Sequence, residues 1–195
     1  MRAITWERKM KTYEQLVGLF EKANGMFIEN DRDLFASDVN ERTLCGALMV
    51  HLQDIIRNDP SFDGYYTDVE YNRNQGRIKT LVQKDSSPEL RIIRINCDLI
   101  LHSRGRHPEQ DNLIAVEMKK SSRPEREKES DRERLVALTA DSFDNVWAFD
   151  GHSLPEHVCR YVLGVYYEID LLAQKITVEY YHREKNVEKY EVSLK

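Results

Sequence analysis

RIIRINCDLILH (residues 91–102) and NLIAVEMKK (112–120) are two apolar, β-branched runs joined by SRGRHPEQD, a segment rich in turn formers. This arrangement predicts two adjacent strands of a sheet. The second run is apolar from Leu113 to Val116 yet carries Glu117 and Lys119 near its end. A carboxylate and an ammonium in a core are costly unless each is paired or bound to something. Strand alternation puts Glu117 and Lys119 on one face with Leu113 and Ala115, and Val116 and Met118 on the other. A hairpin centred between His107 and Pro108 sets Ile100 opposite Ala115, Leu99 opposite Val116 and Asp98 opposite Glu117. Carboxylates facing each other across a sheet, with Cβ atoms ~5 Å apart, repel unless positive charge lies between them. A hard divalent cation meets that need, because Mg²⁺ takes one or two carboxylates plus waters and substrate phosphate. Lys119 stays on the same face, within reach of the same substrate. The register is the sensitive point, since a slip of one residue or a bulge changes which side chains meet.

The flanking segments predict how the hairpin is covered. Thr12 to Lys22 reads as a short amphipathic helix. SDVNERTLCGALMVHLQDIIRN reads as a better one, with Ser37 or Asp38 as N-cap and a stripe of Leu44, Cys45, Leu48, Leu52 and Ile55. Glu41 lies on that stripe; Asp38-x-x-Glu41 also matches a capping box, which is a purely structural role. GYYTDVEYN reads as a strand followed by a turn at Asn74-Gln75-Gly76, and Arg77 to Glu89 as irregular. ESDRERLVALTADSF predicts a helix with Leu135, Val136 and Leu138 on one side. RYVLGVYYEID and KITVEYYHRE predict a closing hairpin whose tyrosines are sheet residues sooner than base-stacking ones. The expected fold class is α/β (α+β), a mixed sheet flanked by helices. Residues 1–36 form an N-terminal helical extension to a domain over 37–195, one compact unit overall.

Composition narrows the function classes. A net charge of −5 over 195 residues argues against bulk coating of nucleic acid, though not against a local basic groove. Cys45, Cys97 and Cys159 fit no zinc spacing, His152 and His157 read as surface residues, and a reduced, cytoplasmic compartment is expected. No stretch approaches the ~20 apolar residues of a membrane span, so no membrane partner is expected. Among the charges after Lys119, only Lys120 and Arg123 stand near enough to Glu117 to suggest phosphate contacts. The rest read as a solvated helix start. Arg104 and Arg106 read as water-facing loop residues, and Asp68 and Glu70 as structural partners of arginines.

Asp98, then Glu117-Met118-Lys119, with Glu41 upstream on a helix, resembles the PD-(D/E)XK nuclease superfamily. The order helix, three strands, helix, strand is similar to its restriction-endonuclease-like αβββαβ core, over about Ser37 to Tyr181. Cys97 stands where the motif has proline. The resemblance implies a metal-dependent nuclease. Asp98, Glu117 and the Met118 carbonyl would bind Mg²⁺, for which Mn²⁺ would substitute, and Glu41 would hold a bound water or second ion. Lys119 would orient the attacking water and stabilise charge on the phosphate. It further implies nucleic acid as partner, DNA before RNA, with a homodimer as one arrangement. The alternative is a non-catalytic module of the same fold that binds nucleic acid or a protein.

Overall fold

Leu99 pairs with Val116 and Ile100 with Ala115 in antiparallel register, as a hairpin centred between His107 and Pro108 requires. The computed structural model describes residues 10–70, 80–83, 91–94, 97–141, 146–148 and 159–194. In chain order the elements are α1 (Tyr13–Asn30), α2 (Arg32–Ala36), α3 (Glu41–Arg57), β1 (Tyr66–Val69), β2 (Thr80–Gln83), β3 (Arg91–Arg94) and β4 (Leu99–His102). They continue as β5 (Asn112–Lys120), α4 (Glu125–Leu138), β6 (Val146–Ala148), β7 (Leu163–Asp170), β8 (Lys175–His182) and β9 (Lys185–Ser193). The turn expected at residues 74–76, together with Asn96, His152 and His157, lies outside the described residues.

The main sheet has six strands in the order β1-β4-β5-β7-β8-β9. β5 and β7 run parallel, joined by a crossover that contains α4, and every other neighbouring pair is antiparallel. β3, β2 and β6 make a second, three-stranded sheet. The fold class is therefore mixed α/β, with helices on both faces of the main sheet. Val116 and Met118 of β5 join Leu16, Phe20 and Phe27 of α1 and Leu44, Leu48 and Leu52 of α3 in the larger core. Ala115 joins Leu135 and Leu138 of α4, with Ile100, Tyr166 and Tyr181, in a smaller one. Full burial of each large apolar side chain contributes roughly 1.5–3 kcal/mol, so the larger core dominates stability.

Several expectations are corrected. α1 runs well past Lys22 because its stripe continues through Ala23 and Phe27, and Thr12 closes a capping box with Gln15. The N-cap of α3 is Asn40, whose Oδ1 accepts from the Thr43 amide at 2.9 Å, so Ser37 and Asp38 stand outside the helix and no Asp38–Glu41 capping box exists. Ile56, not Ile55, closes the buried stripe of α3. RIIRINCDLILH is two strands in different sheets, and β2 lies within the segment expected to be irregular. A bulge between Leu101 and His102 resets the alternation, which moves Leu113 into the larger core. The closing hairpin gains a third strand, β9, whose exposed, charged sequence hid it. The four hairpin tyrosines (166, 167, 180 and 181) are buried sheet residues.

Candidate functional site

The ends of three elements meet beside β5. Pairing between β4 and β5 stops at Leu99, and the carboxylate of Asp98 then takes over the next amide: Oδ2 accepts from the Met118 N–H at 2.8 Å. Glu117, one position earlier on β5, is 1 % exposed. Its Oε1 accepts from Arg134 Nη1 at 2.6 Å, and the same nitrogen donates to Asp131 at 3.0 Å. Lys119 places its Nζ 3.0 Å from Asp131 Oδ2. The charges at the end of a buried strand are thus answered from α4, where Asp131 and Arg134 lie one turn apart.

Glu41 is the first residue of α3 and points at the end of β5. Its Oε1 accepts from the Lys120 amide at 2.9 Å, and its two oxygens take the Arg123 guanidinium at 3.1 and 3.2 Å. Glu41 therefore ties α3 to the segment after β5. It also lines, with Asp98, a cavity of about 620 Å³ whose wall carries Glu70, Arg42, Lys120 and Arg123. Arg42 forms a two-pronged pair with Glu70, both contacts at 2.7 Å, and Lys120 Nζ meets Asp38 at 2.6 Å. The structure brings Glu41 and Asp98 to one cavity, while Glu117 and Lys119 are not among the residues that line it and instead meet Arg134 and Asp131 of α4. Arg104 is not simply water-facing: it pairs with Asp68 and lies over the Tyr66 ring.

Electrostatics follow from this packing. Burial pushes the Asp98 carboxyl up to about 6, against the Met118 hydrogen bond and the nearby Lys119. Burial also pushes Glu117 up, with Arg134 pulling it down and Asp98 adding to the rise. Burial alone would raise Glu41, but Arg123 and the Lys120 amide hold it below its ordinary value. Burial would lower Lys119, yet Asp131 holds its ammonium above the usual range.

Sequence reasoning missed Asp131 and Arg134, which sit in a charged run that reads as solvated. Their i,i+3 spacing just before the apolar Leu135 was the available signal.

Asp98 and Glu117 offer hard oxygen donors that repel each other, and with Asp131 they set three carboxylates against two cations, Lys119 and Arg134. Among the described residues no group of three or more His, Cys, Asp or Glu side chains is placed to hold a metal ion. Comparison with family models, with curated proteins and with solved structures found no match for this chain.

Proposed function

We propose that this chain is a Mg²⁺-dependent nuclease of the PD-(D/E)XK type, hydrolysing phosphodiester bonds of nucleic acid, DNA before RNA. One observation carries the reading. Asp98 and Glu41, 57 positions apart in sequence, line a single cavity with Arg42, Lys120 and Arg123 on its wall, and Asp98 is bonded to the Met118 amide, between Glu117 and Lys119 on β5. Acidic groups for a cation and basic groups for a phosphate are the two halves of metal-assisted phosphodiester hydrolysis. Asp98 and Glu117 would hold the ion, which when bound supplies Lewis acidity. Lys119 would stabilise negative charge that develops on the phosphate. Glu41 would fix the end of β5 and the segment after it, which place Lys120 and Arg123 on the cavity wall.

A second reading is a module of the same shape that binds without turnover. One observation favours it: Glu117 is already sealed by Arg134.

A cleavage panel over single- and double-stranded DNA and RNA, with Mg²⁺, Mn²⁺ or chelator, separates the two. The hydrolytic reading expects metal-dependent cleavage that Asp98→Ala abolishes along with Mn²⁺ binding by calorimetry. Binding to nucleic acid without cleavage under any metal would leave the second reading standing.

A further inference from the structure

Glu117 and Lys119 share one face of β5, two residues and so about 7 Å apart. Opposite charges at that spacing can lean together and cancel. Here α4 stands between them with a matched pair of its own: Arg134 takes Glu117 at 2.6 Å, Asp131 takes Lys119 at 3.0 Å, and Arg134 and Asp131 join each other at 3.0 Å. The four charges form a chain, Glu117–Arg134–Asp131–Lys119, with side chains between 1 and 16 % exposed. Ion pairs this deep are shielded little by water, and their geometry is held by packing on every side.

We infer that Asp131 and Arg134 are positioning residues of the proposed site, Asp131 aiming the Lys119 ammonium and Arg134 fixing the Glu117 carboxylate. This rests on the hydrolytic reading above. The consequence is that α4 is a working part of the site, although it contributes nothing to the cavity wall. Asp131 also meets Arg134, but its part in the rate runs through the Lys119 ammonium. Its removal should therefore lower the maximal rate while leaving substrate binding in place, and should do nothing where Lys119 is already gone.

The test is a double-mutant cycle. Asp131→Asn should lower kcat at least ~10-fold with KM changed less than ~2-fold, and should cause no further loss in a Lys119→Met background. Equal losses in both backgrounds mean that Asp131 serves stability alone, and overturn the inference. For Arg134 the readout is Mn²⁺ affinity by calorimetry. On charge alone, removing a cation beside the carboxylates should tighten metal binding; a positioning role requires the opposite. Arg134→Gln should weaken Mn²⁺ affinity about 10-fold and Arg134→Lys by less, whereas unchanged or tighter binding overturns the inference. If Arg134→Gln does not fold, Arg134→Lys decides by the same criterion. Should the wild-type protein cleave no nucleic acid and bind no Mn²⁺, the hydrolytic reading falls by itself. The Asp131–Lys119 link is then still scored by amine labelling of the metal-free protein. Asp131→Asn should speed modification of Lys119 at least ~5-fold, and an unchanged rate overturns the link.

Discussion

At the scale of single residues, Asp98 is answered less directly by its surroundings than Glu117 or Lys119. Glu117 has Arg134 and Lys119 has Asp131, while the Asp98 side chain accepts from the Met118 amide and, among the described residues, is in no ion pair. Burial raises its carboxyl from 3.8 to about 6. The folded protein then keeps a proton that the unfolded chain has lost, so stability falls as pH rises from about 4 towards 6 and stays lower above that. The full difference corresponds to at most about 3 kcal/mol. Asp98→Asn removes the charge and keeps an oxygen for the Met118 amide. In chelator at pH 8 the variant should melt a few degrees above the wild type, and at pH 4 the two should nearly coincide. A melting difference that is the same at both pH values would mean that the Asp98 charge carries no such penalty. The resident ion of the proposed site would act in the same direction as the asparagine, by answering the negative charge.

At the scale of elements, the arrangement depends on how closely α4 lies on β7. Gly164 of β7 sits beneath the end of α4. A Cβ there would approach Thr139 Cγ2 and Tyr181 Cβ at 3.0 Å and Leu135 Cδ2 at 3.4 Å. Gly164→Ala should therefore lift the helix or strain its packing, at a cost of about 1–3 kcal/mol, or roughly 2–10 °C in Tm. Because Asp131 and Arg134 ride on α4, metal-dependent activity should fall together with Tm; a variant with wild-type melting and activity would show that α4 has room to spare. The same helix shows where sequence reading ends. The β4–β5 hairpin was legible because turn formers and apolar alternation are local signals, and its register came out as expected from Leu99 to Leu101, up to the bulge before His102. The place of Asp98, Glu117 and Lys119 at the end of that hairpin was legible for the same reason. α4 was legible as a helix but not as a partner. Its buried side includes Lys128 and Asp131, which only the acidic and basic groups of the facing strands make tolerable. Lys128 meets Glu168 on β7, and Arg132 meets Glu179 on β8, pairings that exist only once the sheet has assembled. β9 was missed on like grounds, because a charged edge strand has no apolar periodicity to announce it.

At the scale of the whole molecule, the question is how a chain of net charge −5 would approach a polyanion. Its overall field opposes the encounter, so binding must come from a few well-placed cations and not from general attraction. The cavity supplies Arg42, Lys120 and Arg123, each already held by a carboxylate: Glu70, Asp38 and Glu41 respectively. These pairings hold the cations at the cavity and keep the wall from repelling its own helices, but each must loosen or share its cation when a phosphate arrives. Three phosphate contacts predict that the logarithm of the binding constant falls with the logarithm of salt concentration at a slope of about −3 for duplex DNA and about −2 for a single strand. The measurement suits Lys119→Met, in which the proposed turnover would be suppressed while the cavity wall, which Lys119 does not line, is intact. Arg123→Ala in that background should reduce the slope by about one, weakening binding to all sequences alike because a phosphate contact carries no base information. A slope steeper than about −5 would place the nucleic acid on some other, broader basic surface. A flat salt dependence would mean that no phosphate is held at all, and the cavity would then have to be explained by a different ligand.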